Sequence, residues 1–179
     1  MNMFRCLYLV WPLISHHAGA ADVPHRLAFA VMYTESACDH RALGTLDRDS
    51  LEDDSTHYKR RVKQAARGYF QVLPTVWIGR NHWMIENLTA KCGGNRLSDP
   101  QINACFGTRI LRYYYVQCEQ NWRCALGRYY GSPSPGYYNT VKYRLRQLHQ
   151  LAERELPYAV SHLRKPQAQD RRRASTRYL

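Results

Sequence analysis

Leu27-Ala28-Phe29-Ala30-Val31-Met32-Tyr33-Thr34-Glu35-Ser36 decides how this chain is read. Leu27, Ala30, Val31, Thr34 and Cys38 recur at helical spacing, which predicts an amphipathic helix with one buried stripe. Glu35 stands four residues after Val31 and eight after Leu27, on the apolar side of that helix. A carboxylate there loses water when it ionises, so burial raises its pKa. A raised pKa is what a general acid needs near neutrality. The same position also suits a last-turn carboxylate that does no chemistry and pairs with a neighbour such as Arg41.

Four later stretches weigh on that choice. In chain order they are Gly68-Tyr69-Phe70-Gln71, Leu97-Ser98-Asp99-Pro100-Gln101-Ile102-Asn103, Ala125-Leu126-Gly127-Arg128-Tyr129-Tyr130 and Gly136-Tyr137-Tyr138-Asn139-Thr140-Val141. With Glu35-Ser36 ahead of them, the chain from about residue 23 to 145 resembles the lytic transglycosylase (SLT) domains of the lysozyme-like superfamily. In that family a Glu-Ser pair ends a helix, and a Gly-Leu-Met-Gln-like turn follows. Then come an Asp-Pro-x-x-Asn helix start and an Ala-x-x-Tyr-Asn motif. A lone Glu-Ser is no signal, whereas the ordered set is fairly specific. Two departures stand out: Phe70 occupies the Met position, and Tyr130 replaces the Asn.

The resemblance implies a mostly α, lysozyme-like (goose-type) helical domain with little or no β structure. It implies Glu35 as the catalytic group, with Ser36, Gln71, Tyr129 and Tyr137 toward substrate and Asn103 bracing the fold. Read without it, Gln71 is equally a polar residue satisfying a nearby backbone group, and Tyr130 raises the prospect of a narrowed or degenerate subsite. Tyr129 and Tyr137 are the groove candidates among the tyrosine clusters, because an apolar ring with a polar edge suits a sugar.

Length and charge set the frame. A chain of 179 residues fits one domain, and its net charge of +12 asks for an anionic partner. Arg5, the apolar run Leu7–Ile14 and Ala18-Gly19-Ala20 read as a secretory signal peptide over residues 1–20. The alternatives are a short amphipathic anchor or the first buried helix. The domain then spans 21–157, and the basic stretch 158–179 with Arg171-Arg172-Arg173 reads as a disordered tail. Export fits the cysteines. With Cys6 removed, the expected pairs are Cys118 with Cys124 and Cys92 with Cys105, leaving Cys38 as a buried free thiol. No Cys or His spacing suits zinc, and no metal or cofactor is expected.

Along the chain, 39–67 carries Asp47, Asp49, Glu52, Asp53 and Asp54, then Lys59, Arg60, Arg61 and Lys63, and reads as a solvated helix or flap. Gly68–Pro74 reads as a tight extended segment opened by a glycine, and Pro74 as a helix start. Asp99 or Ser98 caps a helix running to about Gln117 with Pro100 just inside, and Trp122–Tyr130 is another helix stopped by the Gly131–Gly136 loop. From Tyr137 helical spacing continues until Pro157.

By resemblance the chain is a lytic transglycosylase that acts on peptidoglycan in the periplasm or cell envelope. Protonated Glu35 would donate to the oxygen of the MurNAc-β-1,4-GlcNAc bond. As carboxylate it would then take the proton of the muramic C6 hydroxyl, which closes a 1,6-anhydroMurNAc ring. Small members of the family open the wall for secretion, conjugation, pilus or phage apparatus, whose components are the further partners expected. The rival reading is a catalytically impaired basic protein of the same fold that grips peptidoglycan or another polyanion. A muramidase is a third. Nucleic acid is not an expected partner, since no helix-turn-helix, zinc finger or RNA-binding signature stands in the sequence.

Overall fold

Helix-forming stripes, each apolar on one side, can hide those sides only against one another, and the chain does this with seven helices among its described residues. The computed structural model describes residues 2–44, 65–78, 88–132 and 134–163. The helices are α1 (Met3–Ala20), α2 (His25–Ser36), α3 (Pro74–Trp77), α4 (Leu88–Lys91), α5 (Pro100–Gln117), α6 (Trp122–Tyr130) and α7 (Pro135–Leu163). The mostly α expectation holds: β structure among the described residues is confined to the bridges Leu43 to Arg67 and Arg67 to Val72. Most of the acidic–basic link of 39–67 and the tail beyond Leu163 lie outside the described residues.

α5 is the central helix. Asp99 caps it by accepting from the N–H groups of Gln101 and Ile102, and Pro100 opens its first turn. Its buried face carries Ala104, Phe106, Ile110 and Leu111. α1 packs on α2 and α5, α6 on α5 and α7, and α7 on α2. α2 is thus walled on two sides, and Phe29, Val31 and Met32 are completely buried.

The N-terminal segment, read from sequence as a leader, has a definite place here. Cys6, Val10, Ile14 and Ala18 line one side of α1 and are buried, and Cys6 is bonded to Cys38. The segment has the form of the first buried helix, the alternative weighed against a leader. Cys38 is accordingly not a free thiol; the expectation failed because it set Cys6 aside with the leader. Cys92–Cys105 and Cys118–Cys124 pair as expected.

α7 also runs further than the sequence suggests, through Pro157 to Leu163. Proline removes one N–H from a helix ladder and bends it without necessarily ending it. α1 carries Pro12 in the same way.

Candidate active site

Glu35 is the penultimate residue of α2, and the chain leaves that helix abruptly. Ala37 and Cys38 both adopt left-handed backbone conformations, with φ of 48° and 72°. Non-glycine residues adopt such φ values at a cost, and two in succession persist where the surroundings hold them. Here the Ala37 N–H bonds to the Tyr33 carbonyl, and Cys38 is tied to Cys6 of α1. The disulfide therefore anchors the chain three residues beyond Glu35.

The Glu35 carboxyl is largely withdrawn from water, and burial raises its pKa. The Tyr137 hydroxyl donates a hydrogen bond to Glu35 Oε1, which favours the charged form and pulls the other way; burial is the larger effect. Burial and the adjacent carboxyl push the Tyr137 phenol far above its ordinary range, so it stays a donor at any working pH. No described cation pairs with Glu35: the ion pairs among the described residues join Arg112 to Asp22 and His149 to Glu153. Arg41 engages Asp39 through its backbone N–H instead. The pairing weighed against an acid role is absent from the described residues.

The Gly68–Gln71 turn is built differently. Asn103, 1% exposed, accepts from the Phe70 N–H at 2.8 Å and donates to the carbonyls of Arg67 at 2.8 Å and Leu97 at 3.0 Å. Gly68 has φ of 73°, and a Cβ there would lie 2.4 Å from the Asn103 amide nitrogen, so both the torsion and the space call for glycine. Phe70 is fully buried, and its ring lies over Gly107 of α5, where a Cβ would come within 2.1 Å of it. Asn103 braces the fold, as the resemblance implied.

The tyrosines join this turn to the carboxyl. Tyr129 donates to the Phe70 carbonyl at 2.6 Å, and its phenol is held well above the ordinary range by burial and then by the charge of Glu35. Glu35, Tyr137, Tyr129 and the Phe70 backbone thus form one cluster drawn from α2, α7, α6 and the turn. Tyr137 itself is 8% exposed, because the ring of Tyr130 stacks on it at 4.6 Å with an interplanar angle of 20°. Tyr130 is 56% exposed. The aromatic face turned to solvent is therefore that of Tyr130, and Tyr137 serves the carboxyl. The sequence offered Tyr137 as a groove candidate and Tyr130 as a departure from the family's Asn, and helical spacing does not reveal which of the two rings covers the other.

Two candidates have other bonds. The Gln71 amide donates to the carbonyls of Gly68 at 2.9 Å and Ala42 at 3.1 Å, which is the backbone-satisfying alternative. The Ser36 hydroxyl donates back to the Met32 carbonyl at 3.2 Å, leaving its lone pairs as its remaining capacity. The described residues contain no group of three His, Cys, Asp or Glu side chains placed to hold a metal. No described helix is long and apolar enough to cross a membrane.

A family model described as the transglycosylase SLT domain matches residues 12–136, a span that begins inside α1 and reaches the first turn of α7. No curated protein and no solved structure matches the chain. The chain belongs to the transglycosylase SLT domain family, whose activity is on peptidoglycan outside the cytoplasm.

Proposed function

As the chain is an SLT-domain protein, we propose that it is an exported lytic transglycosylase that uses Glu35 as both acid and base. The observation that carries this reading is the desolvated Glu35 carboxyl with a neutral phenol as its partner. The protonated carboxyl gives its proton to the glycosidic oxygen as the MurNAc-β-1,4-GlcNAc bond breaks toward an oxocarbenium-like state. The resulting carboxylate takes the proton of the muramic C6 hydroxyl, whose oxygen bonds to C1 and closes the 1,6-anhydro ring. The substrate supplies its own nucleophile.

Serving both roles requires a pKa within reach of the working pH. Burial alone drives the carboxyl upward, and the Tyr137 hydrogen bond restrains it. Among the other described carboxylates, Asp22 pairs with Arg112, Asp39 accepts from the Arg41 N–H, Asp99 caps α5 and Glu153 meets His149, while Glu119 stands exposed in the turn after α5. A two-carboxylate hydrolase would need one such group across the scissile bond.

Mass analysis of peptidoglycan digests tests the reading. The expected fragments end in 1,6-anhydromuramyl groups, lighter by one water than hydrolysis products. Ordinary reducing ends would make the protein a muramidase. Absence of cleavage with retained binding would favour the impaired binding protein, the reading that Tyr130 in the family's Asn position supports.

A further inference from the structure

A cavity of about 700 Å³ lies between the end of α5, α6 and the start of α7, and Glu35 is not among the residues that line it. Its walls include Tyr114, Arg123, Cys124, Arg128, Ser134 and Tyr138. We propose that this cavity is a second substrate site, which binds the acidic peptide stem carried by wall glycan while the sugar chain lies at Glu35. The proposal rests on the peptidoglycan reading above.

Three features of the cavity select that chemistry. Its size is that of sites for drug-sized ligands or short peptides and far exceeds a bare anion. Two rings stand in its wall, Tyr114 and Tyr138, and offer surface to alkyl side chains. Its charge has one sign among the described residues: no described Asp or Glu lines it, while Arg123 and Arg128 both do. The Arg123 guanidinium lies 5.5 Å from the centre of the Tyr138 ring, a placement that orients a planar cation without neutralising it. Arg128 is close enough to Tyr114 for its charge to be felt by that phenol. Guanidinium groups suit carboxylates because two N–H donors match two oxygens. The Cys118–Cys124 disulfide fixes the corner where α5 turns into α6, so the wall bearing Arg123 is rigid.

The cavity is also linked to the carboxyl cluster by the helices they share. On α6, Arg128 lines the cavity while Tyr129 and Tyr130 belong to the cluster. On α7, Tyr138 lines the cavity while the preceding Tyr137 holds Glu35. A glycan at Glu35 would therefore run beside a pocket with the charge and ring surface its peptide branch needs.

The test compares glycan strands that carry their peptides with the same strands stripped of peptide by an amidase. The wild-type protein should show a KM about tenfold lower on peptide-bearing strands, the scale of one or two charge-assisted contacts. The double variant Arg123→Gln, Arg128→Gln should lose that preference and keep its rate on stripped strands. A control with equal charge loss, Lys142→Gln with Arg146→Gln, should retain the preference. Equal KM values for the two strands in wild type would overturn the proposal. So would a preference that survives in the arginine variant or disappears equally in the control.

If wild type cleaves neither strand, the transglycosylase reading fails and the cavity is judged separately, by calorimetric titration with a soluble acidic tetrapeptide. Binding that the arginine variant abolishes would uphold the cavity. No binding to wild type would end the proposal.

Discussion

Asn103 is a buried polar side chain and Glu35 a partly buried one, and they are treated in opposite ways. Asn103 has its amide oxygen and nitrogen bonded to three backbone groups. Glu35 has one phenolic donor, and its second carboxyl oxygen has no described hydrogen-bond partner. A fully satisfied buried group stabilises and specifies, whereas an under-satisfied one holds reactivity that the fold must offset elsewhere. The difference separates the brace of this domain from its chemistry, and each substitution below asks whether that separation is real.

The largest effect should come from Glu35→Gln. The amide keeps the volume and still accepts from Tyr137 but has no proton to give, so wall-lytic turnover should fall ~10²–10⁴-fold or more. Thermal unfolding of the same variant sharpens the contrast. Because the folded pKa of Glu35 is raised above its unfolded value, the folded state holds that proton more tightly. The group costs nothing at acid pH, where both states are protonated. The cost grows as pH rises above the ordinary glutamate range and is complete above the folded pKa. Glu35→Gln should therefore raise Tm near neutrality, and the gain should vanish at acid pH. A variant less stable than wild type at neutral pH would mean that Glu35 is a structural residue like Asn103.

Asn103→Ala makes the converse test. It strands the Phe70 N–H and the carbonyls of Arg67 and Leu97 in the interior, at a cost of about 4 kcal/mol after partial relaxation. Denaturant unfolding should show that loss, with residual activity following the folded fraction. Full stability with lost activity would place Asn103 in the chemistry.

How far the sequence anticipates this contrast depends on whether the deciding contact is local. The start of α5 was legible because Asp99-Pro100 caps a helix through neighbouring N–H groups, and the end of α6 because a Gly-Ser-Pro loop stops one. The short-range cysteine pairs were legible for the same reason. The raised pKa of Glu35 was legible because it needs only the apolar side of one helix. Its partner was not, since Tyr137 lies 102 residues away and reaches the carboxyl only after α7 packs on α2. Gln71 was ambiguous because an amide beside a turn bonds backbone and substrate equally well. The first helix was ambiguous because a short apolar run after a basic residue satisfies a leader and a buried helix alike. What distinguishes them, the stripe of Cys6, Val10, Ile14 and Ala18, gains meaning only with α2 and α5 in place.

The next prediction concerns that first helix. The Cys6–Cys38 bond closes a loop of 32 residues, and its removal should cost about 3.7 kcal/mol by the loop-entropy relation. Cys6→Ser with Cys38→Ser should lower Tm and also reduce activity, because the bond holds the left-handed exit just after Glu35. Mass analysis of the mature protein should find residues 3–20 present and all six cysteines oxidised. A mature chain starting after Ala20 would remove α1 from the domain and restore Cys38 as a thiol.

The smallest effect, and the most diagnostic, should come from Tyr137→Phe. The change removes one hydroxyl and keeps the ring on which Tyr130 stacks, so the fold should tolerate it. The lost hydrogen bond should lower kcat/KM at the optimum by up to about tenfold, a figure that alone would not separate chemistry from packing. The pH profile does separate them. The Tyr137 hydroxyl donates to Glu35 and stabilises its charged form, opposing burial. Without that donor burial acts unopposed, so the Glu35 pKa must rise further. An enzyme that needs Glu35 protonated to start its reaction is active below that pKa. The alkaline limb of the Tyr137→Phe profile should therefore move to higher pH even as the maximum falls. A rate loss with an unmoved limb would reduce Tyr137 to a packing residue, and a limb moving to lower pH would contradict burial as the force that sets the acid.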